Sequence, residues 1–420
     1  MTPEQLTRTP GPAVDAAGPA AGGGAPLRLP FVVYVLAVGT FLMLTTEFVV
    51  AGLLPEIAGD LQVSVAQAGL LITVFAVGMI VGAPTMALLT RGMPRRVTLM
   101  LALAVFAAGH VVVALGSSFP LLLAARFGTA WATGAFWSVA SVVATRAAGP
   151  AASSRALGLV GAGGMLANVV GVPLGAFAGQ LSGWRGPFWA LAALALAAVP
   201  LIARHVPHDE NDQQSMSLRS ELGAIRSGRL WLVLAACATT TGGVLSAYSY
   251  ISPLLTGRAG IATGWVPLVL VGFGVGSLIG TIVGGRLGDT RPHATTIVVA
   301  AVTTVVLLAI CLLSAHALPT VALVALLGLI GLSANPVLSS LAVRFAGVAP
   351  TLGVAMSVSA YNLGTAVGSW LAGLTLGSGL GATGPAAVGT VIAALTLVPT
   401  VAIALVHRRG PSVQATETWG

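Results

Sequence analysis

Long apolar stretches, separated by short polar breaks, run through the chain from residue 31 to residue 406. Breaks at Pro, Gly and Arg clusters divide them into twelve segments, near 31–54, 67–89, 97–115, 120–145, 155–181, 187–203, 229–253, 264–287, 295–315, 319–342, 351–377 and 384–406. Each is close to the roughly 20 apolar residues that a helix needs to cross a bilayer. The pattern predicts an all-α membrane protein of twelve transmembrane helices. One polar connection is long, and it contains the run HDENDQQS, which hydrocarbon does not accept. The predicted organisation is therefore a disordered cytoplasmic tail over 1–29, a six-helix bundle over 30–203, a cytoplasmic linker over 204–228, a second six-helix bundle over 229–406 and a tail over 407–420.

A repeat spans that divide at an offset of 198 residues: Gly78, Gly82, Leu89 and Pro94 match Gly276, Gly280, Leu287 and Pro292. Two equal halves either side of a linker are the pattern of parallel-repeat transporters. Orientation follows from arginine. Arg91, Arg95, Arg96, Arg146, Arg155, Arg204, Arg219, Arg226, Arg229, Arg286, Arg291, Arg344, Arg408 and Arg409 fall on one face, with the tail residues Arg8 and Arg28, against Arg185 and Arg258 on the other. By the positive-inside rule the crowded face is cytoplasmic, and an even number of spans places both termini there.

Composition agrees and narrows the possibilities. Of 420 residues, 56% are hydrophobic and 7% charged, whereas a soluble domain carries about a quarter charged residues. No separate enzyme domain fits, and no GxxxxGK[ST] sequence for ATP occurs. No Ser/His/Asp or paired-carboxylate constellation falls within the helices, so the chain does not read as an enzyme. Cys237 and Cys311 lack metal-ligand or CxxC spacing, and no cofactor is expected. The net charge of +8 is spread by topology and not gathered on one basic element, which argues against nucleic acid. All 19 basic residues are Arg; with the Ala, Gly, Val and Leu bias this fits a GC-rich bacterial gene and a bacterial inner membrane.

Within the apolar segments two charges stand out, Glu47 and Arg126. A charge at bilayer depth costs roughly 2.5–3.5 kcal/mol on insertion scales, so such residues pair, line a cavity or mark an ion path. If the first segment ends near Leu54, Glu47 lies roughly 11 Å below that end; Arg126 lies roughly 9 Å below the same surface. The expectation is an ion pair broken when Glu47 takes up a proton, because Arg does not deprotonate. The alternative is a permanent ion pair that cements two helices. At the 198 offset these positions hold Leu245 and Val324, so the second half lacks counterpart charges.

The stretches TTEFVVAGLLPEIA (45–58), RFGTAWATGAFWSVA (126–140), NVVGVPLGAFAG (168–179) and GWRGPF (183–188) resemble the major facilitator superfamily, in particular its drug/proton antiporter branch and the chloramphenicol exporters within it. The loop LLTRGMPRR (88–96) looks like a degraded GxLaDRxGRR signature, with Arg91 in place of the acid; the second copy, GRLGDTRP (285–292), keeps Asp289. The resemblance implies gating roles at Arg91 and Asp289, a helix-packing antiporter motif at Gly171, Pro173, Gly175 and Gly179, a monomer, and a central cavity lined by the first, fourth, seventh and tenth helices.

On those helices the candidate substrate-binding residues are Thr133, Trp137 and Ser141, on the Arg126 face, then Thr241 with Tyr248, and Asn335 with Ser339. Each alone also reads as ordinary packing. Together, aromatic, hydroxyl and amide groups suit a neutral amphipathic molecule with a ring. The expected function is proton-coupled export of a small neutral antibiotic, chloramphenicol by resemblance, with the proton as coupling ion and the lipid bilayer as partner. Efflux of sugars or nucleosides, or a non-transporting membrane receptor, are the alternatives. His110 reads as a packed histidine, Glu56 and Asp60 lie at the outer mouth, and Trp184, Trp231 and Trp265 read as interfacial anchors.

Overall fold

The computed structural model describes residues 29–89, 93–149, 152–207, 227–347 and 350–409. The first half holds α1 (Phe31–Val49), α2 (Val65–Leu89), α3 (Arg95–Leu115), α4 (Phe119–Ala148), α5 (Ser153–Leu166 and Val172–Ser182) and α6 (Gly186–His205). The second holds α7 (Gly228–Ser249), α8 (Val266–Thr290), α9 (Pro292–Leu313), α10 (Ala317–Gly331 and Asn335–Phe345), α11 (Pro350–Leu376) and α12 (Gly384–Arg409). Eleven of these are long and apolar enough to span a membrane. The other, α11, has 27 residues but spends Ser357, Ser359, Tyr361, Asn362, Thr365 and Ser369 on its length. Large apolar side chains such as Leu181, Leu312 and Leu318 are exposed around the bundle, a surface suited to lipid and not to water. The proposed linker and both tails lie almost wholly outside the described residues.

Close helix approach follows from glycine, and it repeats between the halves. Gly78 and Gly82 of α2 lie against the backbone of Phe127 and Trp131 on α4. Gly276 and Gly280 of α8 lie against the backbone of Ala325 and Leu329 on α10, every partner 198 residues further on. Likewise Gly163 sits on the Ala37 carbonyl, and Gly364 on the Ala238 carbonyl, each 201 residues further on. A side chain at any of these points would hold the backbones apart. The internal symmetry is thus a symmetry of contacts.

Two helices are interrupted where the chemistry lies. In α5, Pro173 has no N–H for the preceding turn, and residues Ala167–Gly171 form a π-turn before the helix resumes. In α10, Pro336 likewise deprives Leu332 of its usual donor; Asn335 N–H bonds the Leu332 carbonyl instead, at 3.1 Å. From the last residue of the π-turn onward, Gly171, Gly175 and Gly179 pack on Thr45, Val49 and Leu53 of the first half's leading helix and its extension.

The bundle has a terminal end, where α1 begins and α12 finishes, and a far end. At the far end one buried apolar cluster joins both halves, running from Phe48, Leu54 and Ile72 to Tyr248, Leu270 and Ala372. At the terminal end each half keeps a cluster of its own: Val32 to Val206 in one, Leu230 to Ile403 in the other. The halves are therefore closed on each other at the far end. Across that closure Thr73 Oγ1 and Ser369 Oγ are hydrogen-bonded at 2.8 Å, and the Tyr250 ring packs onto Gly69 of α2.

Candidate functional site

Arg126 is 1% exposed, yet no carboxylate neutralises it directly. Its Nη1 donates to the Thr46 carbonyl at 3.0 Å and to Thr46 Oγ1 at 2.8 Å. Nη2 donates to the Glu47 carbonyl and Nε to the Leu71 carbonyl, both at 3.3 Å. The guanidinium also lies 4.3 Å from the centroid of the Phe75 ring. Carbonyls near the end of α1 are suited to this task, because the C-terminal end of a helix favours a cation. The expected ion pair with Glu47 is not formed in this state: Arg126 takes the main chain of Glu47, and among the described residues no salt bridge joins the two side chains. Four of the five guanidinium N–H groups are committed to protein oxygens.

The Glu47 side chain instead lines a cavity of about 170 Å³ between the halves. Phe48 accompanies it from α1, Asn168 from the π-turn of α5, Thr241, Leu245 and Tyr248 from α7, and Phe273 from α8. The opposite wall is Leu332 and Asn335 of α10 with Tyr361, Asn362 and Thr365 of α11. Tyr248 stacks on Phe273 with ring centroids 4.2 Å apart and meets Phe48 edge-on at 5.9 Å. Three buried polar atoms on these residues have no protein partner, Thr241 Oγ1, Asn335 Oδ1 and Asn362 Oδ1. Buried polar atoms are rarely left unpaired; these three are covered in this state and become available to a solute only as the walls part. The volume is below the roughly 300–1,000 Å³ of drug-sized sites, so a bound drug requires the walls to part.

Of the residues singled out in the sequence, Glu47, Thr241, Tyr248 and Asn335 meet in this cavity, and Ser339 stands one step behind, its hydroxyl 2.9 Å from Tyr361 Oη. Thr133, Trp137 and Ser141 are not among its lining residues: the Thr133 and Ser141 hydroxyls return to their own helix at Thr129 and Trp137, and Trp137 packs against the first half's terminal cluster. The α11 contribution of Tyr361, Asn362 and Thr365 was not foreseen. Its signal is the polarity of that segment. Asp289 is exposed and shares a cavity of about 160 Å³ with Arg344 between α8 and α10 of one half; Arg91 lies outside the described residues.

His110 is buried beside this site: its Nε2 lies 2.8 Å from Thr46 Oγ1 and its Nδ1 2.7 Å from the Phe106 carbonyl. At the far end Asp60 is tied to Arg185 at 2.5 Å, and Arg185 lies over Trp184. Trp184 is itself buried against Phe188, which corrects its reading as an interfacial anchor; Trp231 and Trp265 are exposed. Partial burial raises the pKa of Glu56, in the short helix Leu54–Asp60, against a smaller opposing backbone hydrogen bond. A larger groove of about 760 Å³ between α8, α9 and α10 is walled mostly by Val, Leu, Ile and Gly and shares no lining residue with the Glu47 cavity. Among the described residues no group of three or more His, Cys, Asp or Glu is placed to hold a metal ion.

A sequence model of the Major Facilitator Superfamily matches residues 36–351. The chain belongs to the major facilitator superfamily. It is 36% identical over 374 residues to a chloramphenicol resistance protein of Streptomyces lividans, covering 88% of this chain and 95% of that one. It is 33% identical over 343 residues to the uncharacterized MFS-type transporter YtbD of Bacillus subtilis, covering 81% and 87%, and 31% identical over 371 residues to the inner membrane transport protein YdhP of Escherichia coli K12, covering 88% and 95%. The fold matches a bacterial homologue of the human lysosomal transporter Spinster, in an inward-facing and unoccupied conformation, with a TM-score of 0.70 at 15% identity over 89% of this chain and 95% of that one. As a superfamily member the protein is a membrane transporter, not an enzyme, and works by alternating access: halves joined at one end only are one of its two states.

Proposed function

We propose that this transporter is a proton-coupled antiporter that exports a small neutral amphipathic antibiotic, chloramphenicol, from the cytoplasm across a bacterial inner membrane. The observation that carries the reading is the Glu47 carboxyl facing the inter-half cavity beside the unpartnered Thr241, Asn335 and Asn362 oxygens. Tyr248, Phe273 and Phe48 supply flat faces for an aromatic ring, and the polar oxygens accept from hydroxyl or amide donors. The likeness to the chloramphenicol resistance protein supports the choice of substrate. With the terminal end taken as cytoplasmic, the present state opens inward. Glu47 releases a proton there and a drug enters; after the halves rock to open the far end, a proton from outside neutralises Glu47 and the drug leaves. Arg126 keeps one N–H uncommitted toward protein oxygens, so a small rotation of Glu47 gives its carboxylate a partner during the exchange. One proton moving inward through about 100 mV releases roughly 2.3 kcal/mol, enough for about a 50-fold gradient of a neutral solute.

The test is retention of radiolabelled chloramphenicol in cells that express the protein, with and without an uncoupler. Lower retention that the uncoupler restores supports the proposal. Unchanged retention removes chloramphenicol and favours a second reading, sugar or nucleoside efflux, for which the cavity offers three carboxamides, Asn168, Asn335 and Asn362.

A further inference from the structure

Behind Glu47 a buried chain of hydrogen bonds leads from Arg126 through Thr46 to His110. Thr46, His110 and Arg126 are 0%, 1% and 1% exposed. The direction of every proton in it follows from valence. The Phe106 carbonyl only accepts, so the proton between it and His110 sits on Nδ1. Arg126 only donates, so Thr46 Oγ1 accepts from Nη1. The single Thr46 hydroxyl proton is then free for His110 Nε2, which accepts it as the lone-pair nitrogen of a neutral imidazole.

This arrangement has no room for a second proton on His110. An imidazolium would donate from Nε2, and Thr46 Oγ1 would then receive two cationic donors while its own proton lost its acceptor. The two cations would be separated by one oxygen atom. The other groups packed on His110 are the Phe106 and Phe188 rings, both uncharged; Arg126 from α4 and Glu47 from α1 are the charged groups toward Thr46, while Arg185, bonded to the Gly116 carbonyl at the end of α3 and paired with Asp60, lies beyond Phe188 and Trp184.

We propose that His110 is a positioning residue whose neutral form holds Arg126 on Thr46, and whose protonation excludes that docking and turns Arg126 toward the Glu47 carboxylate. It rests on the proposed coupling of Glu47 and Arg126 only for its second step. The network itself lies within the first half; its link to the far-end closure is part of the proposal and runs through Glu47 and Phe48, which follow Thr46 on α1 and line the cavity between the halves.

The experiment uses the full chain in lipid nanodiscs without substrate. Imidazole ¹⁵N spectra, with His110→Gln to assign the resonance, are expected to show the neutral Nδ1–H tautomer at pH 7.5. Spin labels at the exposed far-end residues Gln67 and Ser378 then report the separation of the halves between pH 5 and 8. His110→Gln, which retains an acceptor near the Nε2 position and does not titrate, is expected to stay in the closed distribution at every pH. Thr46→Val is expected to lose that distribution at every pH, and Thr46→Ser to restore the wild-type response. An Nε2–H tautomer, or a His110→Gln distribution that moves with pH as the wild type does, overturns the proposal. Loss of coupling is read separately: if Glu47→Gln keeps proton-driven transport while His110→Gln is flat with pH, the role of Glu47 fails and the docking role of His110 stands.

Discussion

Replacing Thr73 by valine removes a single hydrogen bond across the far-end closure and preserves side-chain shape. The bond to Ser369 is 2.8 Å long and joins α2 to α11, so it exists only while the halves meet there. Ser369 Oγ keeps a second acceptor, the Ala366 carbonyl at 3.3 Å, and the substitution strands no buried donor. The loss is then the net worth of one neutral hydrogen bond, about 0.5–1.5 kcal/mol. An equilibrium between far-end-closed and far-end-open states should move toward open by about 2- to 10-fold. Electron–electron distance measurements between labels at Gln67 and Ser378, with Cys237 and Cys311 replaced, read that ratio directly. Gly69→Ala should act in the same direction more strongly, since a methyl group there meets the Tyr250 ring. A Thr73→Val population unchanged from wild type, or shifted toward closed, would refute the reasoning.

Arg126→Lys keeps the charge but loses the fork that reaches Thr46, Glu47 and Leu71 together; two charge-assisted bonds at about 1.5–3 kcal/mol each set an expected destabilisation of about 3–6 kcal/mol, measured by thermal unfolding in detergent. Glu56 has a raised pKa through burial, so its contribution to stability is complete below the ordinary carboxylate range and declines as pH rises through the shifted value; Glu56→Gln should raise the melting temperature at pH 8 and leave it unchanged at pH 4. An equal effect at both values would show that burial of its charge does not govern stability.

Legibility in the sequence followed the physics of each feature. Apolar length and arginine placement are one-dimensional properties, and most observed helix ends fall within three residues of those expected, as for α3 and α6. The glycine matches at the 198 offset became real paired contacts because close approach requires glycine on one partner only. The partners of Arg126 were hidden, since three of its four acceptors are main-chain carbonyls, which have no residue-type signature. His110 looked isolated because its partner Thr46 lies 64 residues away on another helix. The α11 wall was legible in principle: Tyr361, Asn362 and Thr365 make that segment too polar to be justified by lipid contact alone. Thr133, Trp137 and Ser141 share the helical face of Arg126, but in this state none of them lines the Glu47 cavity: Thr133 is buried, and Trp137 and Ser141 are half-buried further toward the terminal end.

Glu47 is the carrier of the coupling proton in the proposed cycle. In proteoliposomes with an imposed pH gradient, Glu47→Gln is predicted to abolish gradient-driven chloramphenicol accumulation while equilibrium binding and gradient-free exchange persist. Gradient-driven accumulation by Glu47→Gln at the wild-type rate would contradict it.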